Sequence, residues 1–485
     1  MFLDEILGIL KNKSSQLAYT ESDKSYTYCE LYKFICNMYN FIKENHYKGN
    51  IVIFGHKEVY MKASMLASAL SGSTYVPIDD RLPLERINAI LNQVKPSLII
   101  GNLKYDGCLN LNKENIDNIL NKENFKEIEK CELNSEDIIY MIFTSGSTGV
   151  PKGVQVTYEN LDSCVGWLKS LISIENSVVL NQANFSFDLS VADLYLSLIT
   201  ESNHYILNDN KFDFENLFKQ LKMSNAEVAV FTPSFAELLL VDESFNQELM
   251  PNFKKIIFCG EKLLKDTVQK LYERFENIQI INSYGPTECT FAVTSVEITR
   301  DMNEIPVGIP KNDIQILIVD EDLNEVSPKE KGEILILGKS VAKGYLGNAN
   351  QSAFIEYQGK KGYLTGDIGY IDNGILFYVS RKDSQIKFKG YRIELQDIEE
   401  NLQTLKYLEK AVVVLDNNNE KNFKIVAFVK LKDGIAKTKL EIKKDLLLKI
   451  PEYMCPIINI VDNIPINNNG KCDKNKLLEE YRNGR

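Results

Sequence analysis

Few of the side chains that build zinc sites are present in this sequence. It has three histidines in 485 residues, and none of its nine cysteines forms a C-x-x-C pair. Structural zinc sites are built from closely spaced cysteines and histidines, so the composition argues against this class. An odd number of dispersed cysteines is typical of reduced thiols, and we therefore expect a cytoplasmic protein.

Long apolar runs and an excess of basic charge are also missing. No apolar stretch approaches the roughly 20 residues that cross a bilayer, and the first residues carry acids where a signal peptide carries basic residues. The net charge of −11 argues against a nucleic-acid-binding protein, whose surface would be basic. The sequence therefore predicts no membrane insertion and no nucleic-acid partner. A nucleotide substrate remains compatible, because local loops can reverse the overall sign.

The length and the apolar pattern predict an α/β protein of more than one domain. A chain of 485 residues is too long for one compact core. Strand-like and helical segments alternate over the first 300 residues, which predicts parallel α/β units, and short strands from Ile314 predict a β-rich subdomain. We expect a large domain over residues 1–382 and a small, mobile α+β domain over 383–485. Helices are predicted in the small domain over 393–405 and 437–448.

The segment Thr144–Gly153, TSGSTGVPKG, has the composition of a phosphate-binding loop. It places four hydroxyls, three glycines and one lysine in ten residues, directly after an apolar run that predicts a strand. Glycines let backbone N–H groups approach phosphate oxygens, hydroxyls donate hydrogen bonds, and lysine adds positive charge. The spacing is not that of a Walker loop, because Pro151 stands where its second glycine belongs. Taken alone, the segment also fits an ordinary polar turn.

Two more clusters combine a glycine turn with a carboxylate. Asn282–Glu288, NSYGPTE, follows a predicted strand and forms a turn where α/β proteins place ligands. Glu288 there could hold Mg²⁺, which takes one or two carboxylates together with phosphate oxygens. Tyr363–Asp367, YLTGD, presents a carboxylate suited to accept hydrogen bonds from ribose hydroxyls. Taken singly, an ordinary turn explains the first cluster equally well and the second cluster better.

The last two clusters lie toward the C-terminus. Ser380–Glu394 contains Arg381, which could reach phosphate or ribose, and Asp383, the expected hinge between the two domains. Lys471 follows a glycine on a polar loop of the predicted small domain. A lysine in such a loop is ordinarily solvated. On a mobile domain it could instead enter a cleft and meet the charged groups of an acyl transfer.

In this order, the five clusters resemble the signature of the adenylate-forming superfamily, which contains acyl-CoA synthetases, luciferases and nonribosomal-peptide adenylation domains. The resemblance runs from about Tyr26 to Lys474. It implies ATP and Mg²⁺ as cofactors, with Lys471, Glu288 and Arg381 as catalytic residues and Glu288 as the metal ligand. The nucleotide-binding residues that it implies are Thr144, Ser145, Gly146, Ser147, Thr148, Lys152, Asn282, Tyr284, Gly285, Thr287, Asp367, Arg381 and Lys471.

The segment FSFDLS, which begins at Phe185, resembles the members that activate amino acids. In those members an aspartate at the position of Asp188 binds the α-ammonium group of the substrate. Such an ion pair is worth roughly 4 kcal/mol at an effective dielectric constant near 20, before desolvation. The alternative is that Asp188 caps the helix that follows. The substrate-binding residues that the resemblance implies are Asp188, Leu189, Ala192, Val230, Ile257, Cys259, Ser283 and Phe291.

D-alanine is the leading candidate for the small amino acid. Phe258–Glu261, FCGE, and Ala292–Glu297, AVTSVE, resemble the D-alanine–D-alanyl carrier protein ligases. Ala192 stands where a bulkier apolar residue is expected and Phe291 where a valine is usual. In addition, Cys289 replaces an alanine and Ser380 a glycine. Because Ala192 and Phe291 exchange volume within the pocket, glycine, β-alanine and larger amino acids remain open.

The acceptor is expected to be a phosphopantetheinylated acyl or peptidyl carrier protein acting in trans. The chain ends at Arg485, soon after the loop that carries Lys471, which leaves no room for a fused carrier domain. Alternative functions are a stand-alone nonribosomal-peptide-type enzyme for another amino acid, an acyl- or aryl-CoA ligase, and a non-catalytic nucleotide sensor. Asp188 argues against a CoA ligase, because an acid without an amine would leave its carboxylate unpaired. The complete set of charged nucleotide-site residues argues against the sensor.

Overall fold

The computed structural model describes residues 2–12, 15–146, 149–172, 174–207, 213–347, 349–383, 385–417, 423–465 and 472–483. The chain divides into two compact units. The first unit contains the residues up to Asp80 together with Val94–Phe143 and Gly153–Lys382. The second contains Arg81–Gln93, Thr144–Lys152 and the residues from Asp383 onward.

The helices and strands follow one another closely along the chain. Up to residue 144 they are α1 (Phe2–Asn12), β1 (Leu17–Glu21), β2 (Lys24–Thr27), α2 (Tyr28–Glu44), β3 (Asn50–Gly55), α3 (Val59–Leu70), β4 (Thr74–Asp79), α4 (Leu84–Val94), β5 (Leu98–Ile100), β6 (Leu109–Leu111), α5 (Lys113–Leu120) and β7 (Ile138–Thr144). Those of the next stretch are β8 (Lys152–Thr157), α6 (Tyr158–Leu171), β9 (Val178–Asn181), α7 (Leu189–Ile199), β10 (Asn203–Ile206), α8 (Phe214–Ser224), β11 (Val228–Phe231), α9 (Pro233–Leu239), β12 (Lys255–Phe258), α10 (Lys265–Arg274), β13 (Gln279–Tyr284), a 3₁₀ turn (Thr287–Cys289) and β14 (Thr294–Ile298).

Strands dominate the remainder of the first unit, and helices return in the second. The strands are β15 (Ile309–Pro310), β16 (Ile314–Val319), β17 (Gly332–Gly338), β18 (Gly344–Tyr345), β19 (Phe354–Tyr357), β20 (Lys360–Asp372) and β21 (Ile375–Arg381). The elements after Asp383 are β22 (Gln385–Phe388), β23 (Tyr391–Glu394), α11 (Leu395–Gln403), β24 (Leu408–Asp416), β25 (Lys424–Leu431), α12 (Lys439–Leu447), a 3₁₀ turn (Glu452–Met454), β26 (Ile457–Ile460) and α13 (Lys474–Asn483).

A nine-stranded sheet of the first unit carries most of the predicted site. Its order is β15-β14-β13-β12-β11-β9-β10-β1-β2, and neighbouring strands from β10 across to β13 are parallel. The predicted parallel α/β class is thereby confirmed. A second, seven-stranded sheet has the order β18-β8-β7-β4-β3-β5-β6. The short strands from Ile314 form the expected β-rich part, an antiparallel sheet of β16, β17, β19, β20 and β21.

The nine-stranded sheet buries a different core on each face, because successive strand residues point to opposite sides. On one face Val230 of β11, Ile257 of β12 and Ile281 of β13 pack in the same cluster as helix α7. Ala229 and Ile256 point to the other face and join a separate cluster. Helix α7 contacts β9, β10 and β11 and so covers the first face. This arrangement brings the predicted substrate residues of α7 against those of the strands.

The second unit is a small α+β assembly. Strands β22 and β23 form a hairpin, and β24, β25 and β26 form a sheet against which α11 packs. The helix predicted over 393–405 begins only at Leu395, because Ile393 pairs with Ile386 in the hairpin. The helix predicted over 437–448 spans Lys439–Leu447, where the Thr438 side chain and Glu441 form a capping box.

No helix in the described ranges is both long enough and apolar enough to cross a membrane.

Candidate active site

Several predicted site residues lie where parallel strands of the nine-stranded sheet end. β9 ends at Asn181, β12 at Phe258 and β13 at Tyr284. The carboxyl ends of parallel strands meet at one edge of a sheet, and α/β proteins bind their ligands there. Cys259, Ser283, Tyr284 and the turn that begins at Gly285 therefore belong to one edge. The Ser283 hydroxyl donates to the Phe258 carbonyl at 2.7 Å, which ties β13 to the end of β12.

Three predicted nucleotide-site residues form one buried hydrogen-bonded group. The Tyr284 hydroxyl donates to Asp367 Oδ2 at 2.6 Å, and Arg381 donates through Nη1 to Asp367 Oδ1 at 2.6 Å. Asp367 is 1% exposed, and the Arg381 side chain is 9% exposed. Both carboxylate oxygens of Asp367 therefore already have a donor. A ribose that bonds to this carboxylate would share it with them, since each oxygen has a second lone pair.

Strand pairing explains how Asp367 and Arg381 meet. They lie opposite each other in the antiparallel pair β20–β21, with a register shift between Ile368 and Gly369. The Thr365 hydroxyl donates to the Ile334 carbonyl at 2.8 Å and accepts from the Asp367 N–H at 3.1 Å. Gly366 has a φ of +71°, a conformation that favours glycine. The YLTGD segment is thus a distorted part of a strand that turns its aspartate inward.

Tyr284 stays protonated in this group. Burial, and then the neighbouring Asp367 carboxylate, raise the pKa of Tyr284 well above its ordinary value. A neutral phenol can donate a hydrogen bond, whereas an ionised carboxylate can only accept hydrogen bonds. Tyr284 is therefore a fixed donor that orients Asp367.

Glu288 lies on the 3₁₀ turn Thr287–Cys289 and is fully buried. Its Oε1 accepts a hydrogen bond of 2.6 Å from the Tyr345 hydroxyl, which itself lies 3.3 Å from the Tyr363 hydroxyl. In the described part of the chain, the one group of three or more acidic, histidine or cysteine side chains with metal-like spacing lies elsewhere, at His56, Asp79 and Asp80. A single carboxylate still fits Mg²⁺ that binds together with substrate phosphate oxygens.

The loop that carries Glu288 is tightly folded. Thr290 and Phe291 both have positive φ values, of 58° and 72°, and the Val293 N–H closes the loop on the Tyr284 carbonyl at 2.8 Å. Non-glycine residues in this conformation cost of order 1 kcal/mol each and are concentrated at functional sites. A Cβ atom on Gly285 would lie 2.6 Å from the Ala292 Cα, so only glycine fits there.

We expect Gly285→Ala to lower the melting temperature by several degrees and to impair activity. The added methyl group must displace backbone at Ala292, next to the strained residue Phe291. Differential scanning calorimetry measures the first effect. Gly8→Ala is the matched control: a Cβ on this residue of α1 meets nothing within 4 Å, so the change should be neutral or slightly stabilising. Equal melting temperatures for both variants would contradict the packing described here.

Asp188 precedes α7 but does not cap it. Its backbone is already in the helical region, and its side chain makes no capping hydrogen bond. The charge of this half-buried carboxylate contributes to the raised pKa values of the buried Tyr140 and Cys164 side chains. Burial raises the pKa of the Cys164 thiol to about 12, Lys311 opposes the rise, and Asp188 and Cys259 add to it.

The apolar residues of the predicted substrate site are all buried in one cluster. Each is at most 7% exposed, and the set consists of Leu189, Ala192, Val230, Ile257, Cys259 and Phe291. Val230 and Ile257 are neighbours in register on β11 and β12. The Cys259 thiol approaches the Phe291 carbonyl at 3.9 Å, and the Phe291 ring lies 6.5 Å from that of Trp167. The structure therefore brings two of the positions that depart from the family pattern, Ala192 and Phe291, into the same core.

Asn282 and Thr287 are also buried on this edge. Asn282 donates through Nδ2 to the Pro306 carbonyl at 2.7 Å, while its Oδ1 is buried without a hydrogen-bond partner among the residues that the structure describes. A buried acceptor without a donor costs free energy, so this oxygen suits a ligand that supplies an N–H group. Thr287 is 8% exposed and opens the 3₁₀ turn.

The predicted phosphate loop belongs to the second unit. Thr144 is the last residue of β7, the Ser145 hydroxyl donates to the Arg392 carbonyl at 3.0 Å, and Lys152 begins β8. A Cβ on Gly146 would lie 2.2 Å from the Val150 carbonyl oxygen, and Gly149 has a φ of +67°. Both glycines are therefore required by the tight turn. Burial raises the pKa of Glu394, and Arg392 and Lys152 oppose the rise.

Three predicted residues, Ser147, Thr148 and Lys471, lie outside the described residues. Asp383 is exposed, begins the stretch of the second unit that runs to the C-terminus, and accepts from the Gln385 N–H at 3.2 Å. Its role as a hinge stays a prediction.

Two contributors to the site were missed by the sequence analysis. Tyr345, which bonds Glu288 from 57 residues away, lies in a segment without a recognisable pattern. Cys164 lies within α6 and reads as an ordinary apolar position. Neither has a local signal, because each reaches the site only through packing of distant elements.

Comparison with known proteins identifies the family of these motifs. Residues 10–346 match the model of the AMP-binding enzyme family, and residues 397–471 match the C-terminal domain of AMP-binding enzymes. The D-alanine–D-alanyl carrier protein ligase of Listeria monocytogenes serovar 1/2a is 41% identical over 453 residues, covering 89% of this chain and 88% of the relative. The ligase of the same name from Bacillus licheniformis is 39% identical over 449 residues, with 89% of both chains covered.

Solved structures share the fold at low sequence identity. The Vibrio cholerae adenylation domain AlmE in complex with glycyl-adenosine-5′-phosphate has a TM-score of 0.84 at 22% identity, covering 99% of this chain and 97% of that chain. An artificially fused adenylation–PCP di-domain from Klebsiella oxytoca has a TM-score of 0.82 at 21% identity, covering 95% and 93%.

Proposed function

This chain belongs to the AMP-binding enzyme family, and from that premise we propose that it is an amino acid–carrier protein ligase. It activates a small amino acid with ATP to aminoacyl-AMP and transfers the aminoacyl group to the phosphopantetheine thiol of a separate carrier protein. D-alanine is the leading substrate, because relatives about 40% identical over about nine tenths of the chain are ligases of that name.

The observation that carries the proposal is the position of Asp188. It precedes α7 without capping it, and the next residue, Leu189, is buried in the same cluster as Val230 and Cys259. A half-buried carboxylate beside an apolar cluster is suited to the ammonium group of an amino acid. An acid without an amine would bring no positive charge to this carboxylate, so it would gain no ion pair there.

In the first half-reaction a carboxylate oxygen of the amino acid attacks the α-phosphorus of ATP, and pyrophosphate leaves as the bond to the bridging oxygen breaks. Positioning and neutralisation of charge dominate such displacements. Asp367, held by Tyr284 and Arg381, binds the ribose. The loop from Thr144 to Lys152 binds the phosphates. Lys471 supplies positive charge to the oxygens around the reacting phosphorus.

Asn282 fits the adenine base. Its buried Oδ1 lacks a donor in the described structure, and an exocyclic amine would supply one. Glu288 would hold Mg²⁺ together with phosphate oxygens, and Tyr345 orients its carboxylate. When bound, the ion would neutralise phosphate charge.

In the second half-reaction the thiol sulfur of the carrier attacks the carbonyl carbon of the adenylate. A thioester forms, AMP leaves, and the thiol proton is released. We propose that the C-terminal residues rotate about Asp383 between the two half-reactions, which removes Lys471 and admits the thiol.

ATP–pyrophosphate exchange with a panel of acids tests the proposal. D-alanine should give the highest kcat/KM, ahead of L-alanine, glycine and β-alanine, and propionate, which lacks the amine, should give almost none. Preference for glycine or a larger amino acid would revise the substrate, in keeping with the exchanged volumes at Ala192 and Phe291. Propionate as active as the amino acids would favour a CoA ligase, and a protein without exchange activity would contradict the proposal.

A further inference from the structure

A second set of charged groups lies beneath the segment that presents Asp188, and the reaction described above does not use it. Lys62 on α3, Asp193 on α7 and His204 on β10 are each 0% exposed. The desolvation free energy lost on burying charged side chains is often larger than the free energy gained from their mutual attraction. Apolar replacements at such positions therefore often stabilise a core. A buried lysine, histidine and aspartate in contact therefore call for a functional reason.

The three side chains form a directed chain of hydrogen bonds. Lys62 Nζ lies 3.4 Å from His204 Nδ1, and His204 Nε2 lies 3.1 Å from Asp193 Oδ1. An ammonium group can only donate, so Nδ1 accepts and the neutral imidazole carries its proton on Nε2, which donates to Asp193. Burial, followed by Lys62 and Lys57, lowers the pKa of His204 well below its ordinary value, in agreement with a neutral ring.

This series of hydrogen bonds continues into the turn that precedes Asp188. Asn181 donates through Nδ2 both to Asp193 Oδ2, at 3.0 Å, and to the Ala183 carbonyl, at 2.9 Å. The His204 ring packs against Phe185 at 6.3 Å between centroids. Lys57 Nζ donates to the carbonyls of Gln182, at 3.0 Å, and Leu207, at 3.2 Å. The turn is thus held at Gln182, Ala183 and Phe185.

The same series of hydrogen bonds also holds helix α7 itself. Asp193 lies on α7 little more than one turn after Asp188. Lys62 Nζ donates to the Ser197 hydroxyl, one further turn along the same helix, at 3.1 Å. Both the helix and the turn before it are therefore fixed by one connected group, and Asp188 stands where the two meet.

We propose that Lys62, His204 and Asp193 are positioning residues that set the direction of the Asp188 carboxylate toward the ammonium group of the amino acid. The proposal rests on the proposed function and extends it, because the proposed reaction gives these three fully buried residues no role. Displacement of a binding group by about 1 Å can cost on the order of 10²-fold in rate, so precise support is required.

The test compares how each variant changes KM for the amino acid and KM for ATP in ATP–pyrophosphate exchange with D-alanine. His204→Leu removes the partner of both Lys62 and Asp193. It should raise KM for the amino acid about tenfold, while KM for ATP changes less than twofold. His204→Gln, whose amide both donates and accepts, should recover most of the loss. If His204→Leu does not fold, Lys62→Met, which keeps the apolar stem, provides the same comparison.

Lys255→Met is the matched control. Lys255 begins β12, is 6% exposed, and donates to the Leu171 carbonyl at 2.7 Å, so it is another buried lysine of the same unit but outside this group. Its substitution should leave both Michaelis constants unchanged.

A double variant connects the group to Asp188. In an Asp188→Asn background His204→Leu should add less than twofold to KM for the amino acid, because the group it positions is already lost. Additive effects, or equal rises in both Michaelis constants, would overturn the proposal. A wild-type protein without exchange activity would overturn the proposed function and the positioning role with it, whereas an active wild type with an unaffected His204→Leu variant would overturn the positioning role alone.

The pH dependence of KM for the amino acid is a further readout, because simple destabilisation of the fold would not change it in the same way. Burial lowers the pKa of Lys62 to about 7, with Asp193 opposing the shift. Among the described residues, the groups facing Lys62 are Asp193 and Ser197 of α7, His204 of β10 and the Tyr19 ring of β1, 5.4 Å away. As pH rises through about 7, Lys62 loses its charge and KM for the amino acid should rise. Lys62→Met should remove this dependence, and an unchanged profile would count against the proposal.

Discussion

Lys471→Ala is expected to abolish ATP–pyrophosphate exchange, with a loss of about 10³-fold in kcat. The proposed role of Lys471 is to neutralise charge that develops on the carboxylate and phosphate oxygens as the new bond forms. Removing one group that stabilises a transition state in this way costs about 10²–10³-fold, and a full positive charge belongs at the upper end of that range. Exchange measured at saturating ATP and D-alanine checks the result.

The second half-reaction should survive the same substitution. When aminoacyl-AMP is supplied, transfer to the phosphopantetheinylated carrier should proceed within about threefold of the wild-type rate, because the charge is needed only while the adenylate is made. The control is Lys476→Ala, an exposed lysine of α13 that should affect neither step. Equal loss of exchange and of transfer would remove Lys471 from its proposed role.

Asp188→Asn should raise KM for D-alanine on the order of 10²-fold. A contact ion pair at an effective dielectric constant near 20 is worth roughly 4 kcal/mol, and partial solvent screening at a half-buried carboxylate reduces that figure. Since 1.4 kcal/mol corresponds to a factor of ten, about two orders of magnitude remain. KM for ATP should change little, because Asp188 contributes to the amino acid site and not to the nucleotide site.

Stability distinguishes this role from the alternative of a helix cap. Loss of a capping side chain costs about 1 kcal/mol, but Asp188 makes no capping hydrogen bond, so the melting temperature should stay within about 2 °C. The control is Asp372→Asn on β20, whose side chain is 28% exposed and pairs with Lys329 at 3.1 Å. Unchanged kinetics combined with a lower melting temperature in Asp188→Asn would make the residue structural.

The class of fold and the family were predictable from contiguous segments. Apolar runs that alternate with helical segments predicted the parallel α/β units, because a strand buried on both faces of a sheet is apolar along its whole length. The glycines at 146, 149, 285 and 366 mark tight turns. Each leaves a local signal in the sequence, because the backbone of the turn restricts which residue can occupy it. The domain boundary at residues 382 and 383 and the roles of the site residues stay predictions.

Errors and omissions fall where a residue has more than one possible partner. Ile393 continues an apolar helical pattern, yet it pairs with Ile386 in a hairpin, because a strand partner became available nearby. Asp188 fitted a helix cap as well as a substrate ligand. The geometry of α7 shows that its side chain makes no capping hydrogen bond, and its role as a substrate ligand stays a prediction.

The sequence by itself determined the chemistry available to this protein: the order of its motifs, the hydroxyl and glycine loop, and the carboxylates at the ends of strands. Each of these depends on residues that are neighbours in the chain. Only the tertiary structure decided which groups meet: Tyr345 with Glu288 across 57 residues, and Lys62 with His204 across 142. Such pairs depend on strand register and on the packing of distant helices, and a single sequence carries no local pattern that records them.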